Sequence, residues 1–174
     1  ERTLNIHEYV KFTLAPVMHL PQSELASMHQ EFIQKFIKPL ILPKAVELVN
    51  SHLVAGDYCL IVTATNSFIT TPIAQMFGVD KLIATDLVMQ DDHFTGEILG
   101  TPCFQSCKVN KLDQWLKSEV AKSNELRLEE RIFYSDSIND LPLLQRVNEA
   151  VVVDGDESLV DEANRRKWKC VSLR

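Results

Sequence analysis

Apolar positions along the chain follow two rhythms, one before and one after Pro43. In the first stretch they recur at helical spacing, with Ile6, Tyr9, Val10 and Leu14 on one segment and Leu25, Met28, Phe32 and Phe36 on a second. Asn5 followed by Glu8 is a capping-box start for the first segment, and Ser23 is the expected cap of the second. Pro16, Pro21, Pro39 and Pro43 punctuate this region. After Pro43, short apolar runs alternate with helical ones. A helix carrying Ala45, Val46, Leu48, Val49 and Leu53 is expected to stop at Gly56. Tyr58 to Val62 then reads as a strand buried on both faces, as parallel-sheet strands are.

Ser67 to Phe77 is helical and closed by Gly78, with Pro72 its one discordant residue. Lys81 to Thr85 is a short strand. The alternating run TDLVMQDDHFTGEILG, from Thr85 to Gly100, turns at Asp91-Asp92 and reads as a hairpin. Leu112, Trp115, Leu116 and Val120 mark a helix, Arg131 to Tyr134 a strand and Leu141 to Val147 a helix. Ala150 to Val153 is the last expected strand, followed by a helix from about Glu157 to Arg166. This alternation predicts an α/β fold: a Rossmann-like, doubly wound, mostly parallel sheet with helices on both faces and a β-hairpin excursion. No internal repeat or low-complexity tract interrupts it.

Composition narrows the class. The chain has 174 residues, 45% hydrophobic and 24% charged, with only 5 Gly and 7 Pro, which excludes disordered, collagen-like and linker-dominated chains. No apolar stretch approaches the ~20 residues of a membrane span, and the first residues lack the basic-then-apolar layout of a signal peptide, so a cytoplasmic address is expected. A net charge of −6 offers no broad positive field, so neither nucleic acid nor membrane is an expected partner. Cys59, Cys103, Cys107 and Cys170 are irregularly spaced and are read as reduced. Cys103 and Cys107 find no second ligand pair at zinc spacing among the scattered histidines.

Ligands of open α/β sheets collect at the carboxyl ends of the strands. Thr63, Thr65 and Asn66 follow the first expected strand, and Ser135, Asp136, Asn139 and Asp140 follow the Arg131–Tyr134 strand. Lys108 opens a helix between them. Packing gives no reason to set acids at a strand end, whereas an Mg²⁺ site does, because Mg²⁺ takes one or two carboxylates together with substrate phosphate and water. A hydroxyl and an ammonium suit the remaining phosphoryl oxygens. Taken singly, Thr63 is a strand-end cap, Lys108 a solvated lysine and Asp136 a turn residue. Their order and strand context give them weight.

Three segments, IVTATNSF around Thr63, KVNKL at Lys108 and YSDSINDLPLL at Asp136, resemble the second, third and fourth motifs of the haloacid dehalogenase superfamily, in the subfamily of phosphoserine phosphatases. TLNIHEYVKF resembles part of that subfamily's helical cap, and FTGEILGTPC its segment before the lysine. The resemblance covers almost the whole chain. It implies residues 1–42 as a partial helical cap and 43–174 as the α/β core. It also implies a phosphoaspartyl mechanism on a small phosphorylated metabolite, phosphoserine or histidinol phosphate, with Mg²⁺ as cofactor. By motif, Thr63 would bond the transferring phosphoryl group, Lys108 would neutralise its charge, Asp136 would ligate Mg²⁺, and Asp140 would complete the acidic site and orient Lys108. Asn139 and Thr65 would line the phosphate end.

One motif of the family is missing. The strand followed by DxDx(T/V), which carries the nucleophile, has no counterpart before the cap, so the expectation is a longer protein whose first segment lies outside these residues. In the family that strand is central, and its neighbours would be left with open edges. Val151-Val-Val-Asp154-Gly-Asp156 mimics the motif but follows the fourth one, and Asp156 is placed to cap the terminal helix. Two other readings stand beside the phosphatase: a catalytically incomplete module that binds phosphate or a partner, and a phospho-relay receiver. The helical insertion and the hairpin speak against the latter. The sequence leaves oligomeric state open.

Overall fold

A computed structural model describes residues 5–120 and 130–174. The first four residues of the expected cap segment lie outside them. The chain divides into two compact units, Glu1–Cys103 and Phe104–Arg174.

In the first unit, α1 (Ile6–Leu14) starts where Asn5 accepts hydrogen bonds from the His7 and Glu8 amides, as the sequence predicts. Helix α2 (Gln22–Phe32) runs on into a π turn, Ile33–Ile37, and a 3-10 turn, Lys38–Leu40. Its start corrects the expected Ser23 cap. Pro21 is the N-cap, and the Gln22 amide is taken by the backbone and carboxylate oxygens of Asp92, both at 3.2 Å. Val10, Leu14, Leu25 and Phe94 form one buried cluster, with Phe68 packed against it. His29 stacks on Phe68 at 4.2 Å. Burial lowers the His29 pKa, against a backbone hydrogen bond to Ile69 that raises it, and its Nε2 has no partner among the described residues.

Helix α3 (Pro43–Ala55) closes at Gly56 with φ 85°, the left-handed geometry that glycine adopts without steric cost. Strand β1 is Leu60–Asn66 and pairs in parallel with β2 (Lys81–Thr85), across helix α4 (Ser67–Phe77). This corrects the predicted strand: β1 begins two residues later than Tyr58 and continues through Thr63, Ala64, Thr65 and Asn66, and its residues are half-buried, with Thr65 exposed, rather than covered on both faces. The hairpin is as predicted. Strands β3 (Leu87–Gln90) and β4 (His93–Ile98) pair antiparallel, and Asp91 and Asp92 both have positive φ, the two-residue turn geometry whose twist suits a hairpin.

The second unit carries α5 (Ser106–Val120), β5 (Ile132–Ser135), a 3-10 turn Ile138–Asp140, α6 (Leu141–Leu144), β6 (Glu149–Val153), α7 (Glu157–Arg166) and β7 (Lys169–Val171). Strands β5, β6 and β7 form a parallel sheet in that order. Leu144, Ala150, Val152, Leu159 and Ala163 make its core. Parallel pairs alternating with helices in both units give the predicted α/β class. Among the described residues, β1 pairs only with β2 and β5 only with β6, so each leaves one strand edge open. No helix among the described residues is long and apolar enough to cross a membrane. Cys59, Cys103, Cys107 and Cys170 form no disulfide with one another.

Candidate active site

Strand β5 ends at Ser135, which is buried, and the chain then turns sharply through Asp136 to Asp140. The Ser135 hydroxyl donates to Asp140 Oδ2 at 2.8 Å and accepts from the Ser137 amide at 3.2 Å. The Ser137 hydroxyl in turn accepts from the Asn139 amide and side chain, both at 3.3 Å. These local bonds set the tight turn that brings Asp140 back beside the strand it follows.

Lys108 lies in the first turn of α5, where the helix dipole and the free amides disfavour a cation. It is nonetheless 7% exposed, against 8% for Asp140. The two meet at 2.5 Å, Lys108 Nζ to Asp140 Oδ1. A buried lysine at a helix start is tolerable only with a counter-charge at contact distance, and removing either partner would strand the other. Gln105, which opens this turn with a positive φ of 47°, donates from Nε2 to Asn139 Oδ1 at 3.3 Å. The second unit therefore gathers Lys108, Asp140 and Asn139 into one linked set.

Asp136 differs from them. Its side chain is exposed, immediately after the strand end, and forms no ion pair with any described residue. No group of three or more His, Cys, Asp or Glu that could hold a metal exists among the described residues. A single exposed carboxylate is compatible with Mg²⁺, which keeps waters and takes substrate phosphate oxygens.

Thr63 and Thr65 lie in the first unit, at the carboxyl end of β1. The pairing of β1 with β2 shifts register between Val62 and Asn66, so both threonines stand on a bulged stretch, the kind of irregularity that re-aims side chains. The Thr63 hydroxyl accepts from the Thr65 amide at 3.1 Å, and Thr65 is exposed. Thr85, fully buried, braces the bulge by donating to Ala64 O at 2.8 Å and accepting from the Cys103 amide at 3.0 Å. Asn66 caps α4 through the Ile69 amide at 3.0 Å. The aspartate pair that mimics the first motif has other employment. Asp154 ties down the chain end by accepting from Ser172 Oγ and the Leu173 amide, while Asp156 caps α7.

The sequence placed Ser135 after the strand without giving it a role, and singled out neither Gln105 nor Thr85. Only Ser135 left a trace, as a polar residue at the end of an apolar strand. The contacts that give the other two a role are made to distant parts of the chain.

A family model described as haloacid dehalogenase-like hydrolase matches residues 3–145. A protein named histidinol-phosphatase from Neisseria meningitidis serogroup C (strain 8013) is 40% identical over 174 residues, covering 98% of this chain and 77% of its own length. A phosphoserine phosphatase of Mycobacterium tuberculosis (strain ATCC 25618 / H37Rv) is 29% identical over 152 residues, covering 87% of this chain and 48% of its own. A crystal structure of a protein of unknown function from Bordetella pertussis Tohama I superposes with a TM-score of 0.90 at 41% identity, covering 98% of this chain and 76% of that one.

Proposed function

Because the chain belongs to the haloacid dehalogenase-like hydrolases, we propose that it serves an Mg²⁺-dependent phosphomonoesterase acting on a small phosphorylated metabolite, with histidinol phosphate ahead of phosphoserine. The observation that carries the proposal is the buried Lys108–Asp140 pair, with Asp140 in the turn that follows β5 and the exposed Asp136 opening that same turn. Histidinol phosphate takes precedence because the relative named for it matches nearly the whole chain at 40% identity.

In this reading Lys108 offers its remaining N–H donors to the phosphoryl oxygens while Asp140 holds its ammonium in place. Ser135 keeps Asp140 in the orientation that this requires. Thr63 donates a hydroxyl hydrogen bond to the phosphoryl group, and Thr65 and Asn139 line the phosphate end. Asp136 would hold Mg²⁺, which when bound supplies Lewis-acid stabilisation of the charge building on the transferring group. The family's DxDx(T/V) motif is not found among the 174 residues, and none of them is assigned to attack on phosphorus or to protonation of the leaving alkoxide. Residues 1–42 are assigned to a cap that closes over substrate.

The test is phosphate release from histidinol phosphate and from phosphoserine by protein expressed from the full gene, with Mg²⁺ and with chelator. Turnover that needs Mg²⁺ and disappears in K108A and D136N supports the proposal. Absence of turnover, with retained binding of inorganic phosphate, would favour a phosphate-binding module instead.

A further inference from the structure

Asp156 does more than cap a helix. Its Oδ1 accepts from the Leu159 amide at 2.8 Å, which is the cap of α7. Its Oδ2 accepts from the Ile138 amide, also at 2.8 Å, and its own amide donates to Asp136 O at 2.8 Å. One residue thus grips the 136–138 segment from two sides while anchored to α7. The neighbouring Gly155 makes this approach possible: a Cβ there would stand 2.5 Å from Val152 Cγ1, so only glycine lets the loop press onto β6. Ile138 packs against the core that Leu159 also belongs to, so both ends of the grip are seated in one cluster.

A helix cap needs a single acceptor, and serine or asparagine supplies it as well as aspartate. The second carboxylate oxygen is therefore surplus to the helix and is spent on the turn that carries Asp136, Asn139 and Asp140. We infer that Asp156 is a positioning residue, which holds the 136–140 turn in register with α7 and so sets where the Asp136 carboxylate points. The metal consequence rests on the phosphatase reading above, whereas the grip on the turn does not. Groups that orient a metal-binding carboxylate commonly change metal affinity by ~10–100-fold when removed.

Two variants separate the roles. D156S and D156N each keep one cap acceptor and lose the second. Both are measured in protein expressed from the full gene, by thermal unfolding, by amide hydrogen exchange at Ile138 and by calorimetric Mg²⁺ titration. The expected result is an unfolding midpoint within about 3 °C of the native value. Exchange at Ile138 should be faster by about tenfold, since a hydrogen bond to a charged acceptor is lost. Mg²⁺ binding should be weaker by about tenfold or more. Native exchange at Ile138, or native Mg²⁺ affinity, in both variants overturns the inference. If D156S does not fold, the near-isosteric D156N decides. A native protein that binds no Mg²⁺ sinks the phosphatase reading, and exchange at Ile138 then decides the grip by itself.

Discussion

Lys108 Nζ stands 2.5 Å from Asp140 Oδ1, with the two side chains 9% and 10% exposed. Burying such a pair costs desolvation that the attraction only partly offsets, so stability alone does not explain it. A buried lysine oriented by a buried aspartate does suit a site that must receive a multiply charged anion.

Breaking the pair on one side should therefore cost far more than removing it whole. K108M leaves Asp140 with an uncompensated charge and is expected to lower stability by about 3–5 kcal/mol. K108M combined with D140L should recover much of that loss while remaining inactive. Urea unfolding of the two single variants and the double one checks this through the coupling energy. Additive losses would show that the two groups do not depend on each other.

Ser135 is the hinge of the turn. S135A removes the donor to Asp140 Oδ2 and the acceptor for the Ser137 amide. A loss of about 1–3 kcal/mol in unfolding free energy follows from leaving buried polar atoms unpaired. Phosphate release should also slow by about tenfold. S135T, which keeps the hydroxyl, should retain more of both than S135A.

Asp136 should behave in the opposite way. Its side chain is exposed and bears no ion pair with a described residue, so D136N should change stability by less than about 0.5 kcal/mol. Under the proposed function, phosphate release in the presence of Mg²⁺ should nevertheless fall by at least about tenfold. A variant that unfolds easily yet keeps its Mg²⁺ response would place the metal elsewhere.

His29 gives the first unit a pH dependence. Burial against Phe68 depresses its pKa, so the folded state binds fewer protons than the unfolded chain does. Its contribution to stability is complete above the unfolded value of about 6.5 and declines as pH falls through the lower folded value. H29Q, which does not titrate, should flatten the native slope of stability between about pH 7 and pH 5. Equal slopes in urea melts of the two proteins would count against this.

What could be read from the sequence was local. The Asp91-Asp92 turn, the Asn5 cap and the glycines that end α3 and α4 each depend on a few consecutive residues, and each stands where the pattern put it. What escaped depends on distant partners. The start of α2 is set by Asp92, 70 residues further on, which leaves Ser23 without the capping role assigned to it. The polar residues Thr63 and Thr65 hid the second half of β1, which rejoins β2 only where Asn66 pairs with Thr85 and is braced by the Thr85 hydroxyl at Ala64 O. Strand β7 is only Lys169–Val171 and exists by pairing with β6, so no apolar run announced it. Within the candidate site, the positions of Lys108, Asp136 and Asp140 could be named from motif order. The hydroxyl of Ser135 and the second arm of Asp156 could be found only once the turn was seen.

In the proposed phosphatase, Lys108 and Asp136 serve one magnesium-bound phosphoryl group. A crystal structure of the protein from the full gene, grown with Mg²⁺ and a tetrahedral phosphate mimic such as tungstate, tests it most directly. The predicted result is a mimic within about 3 Å of Lys108 Nζ, with the cation on Asp136. A mimic bound away from Lys108, or a cation held without Asp136, would contradict it.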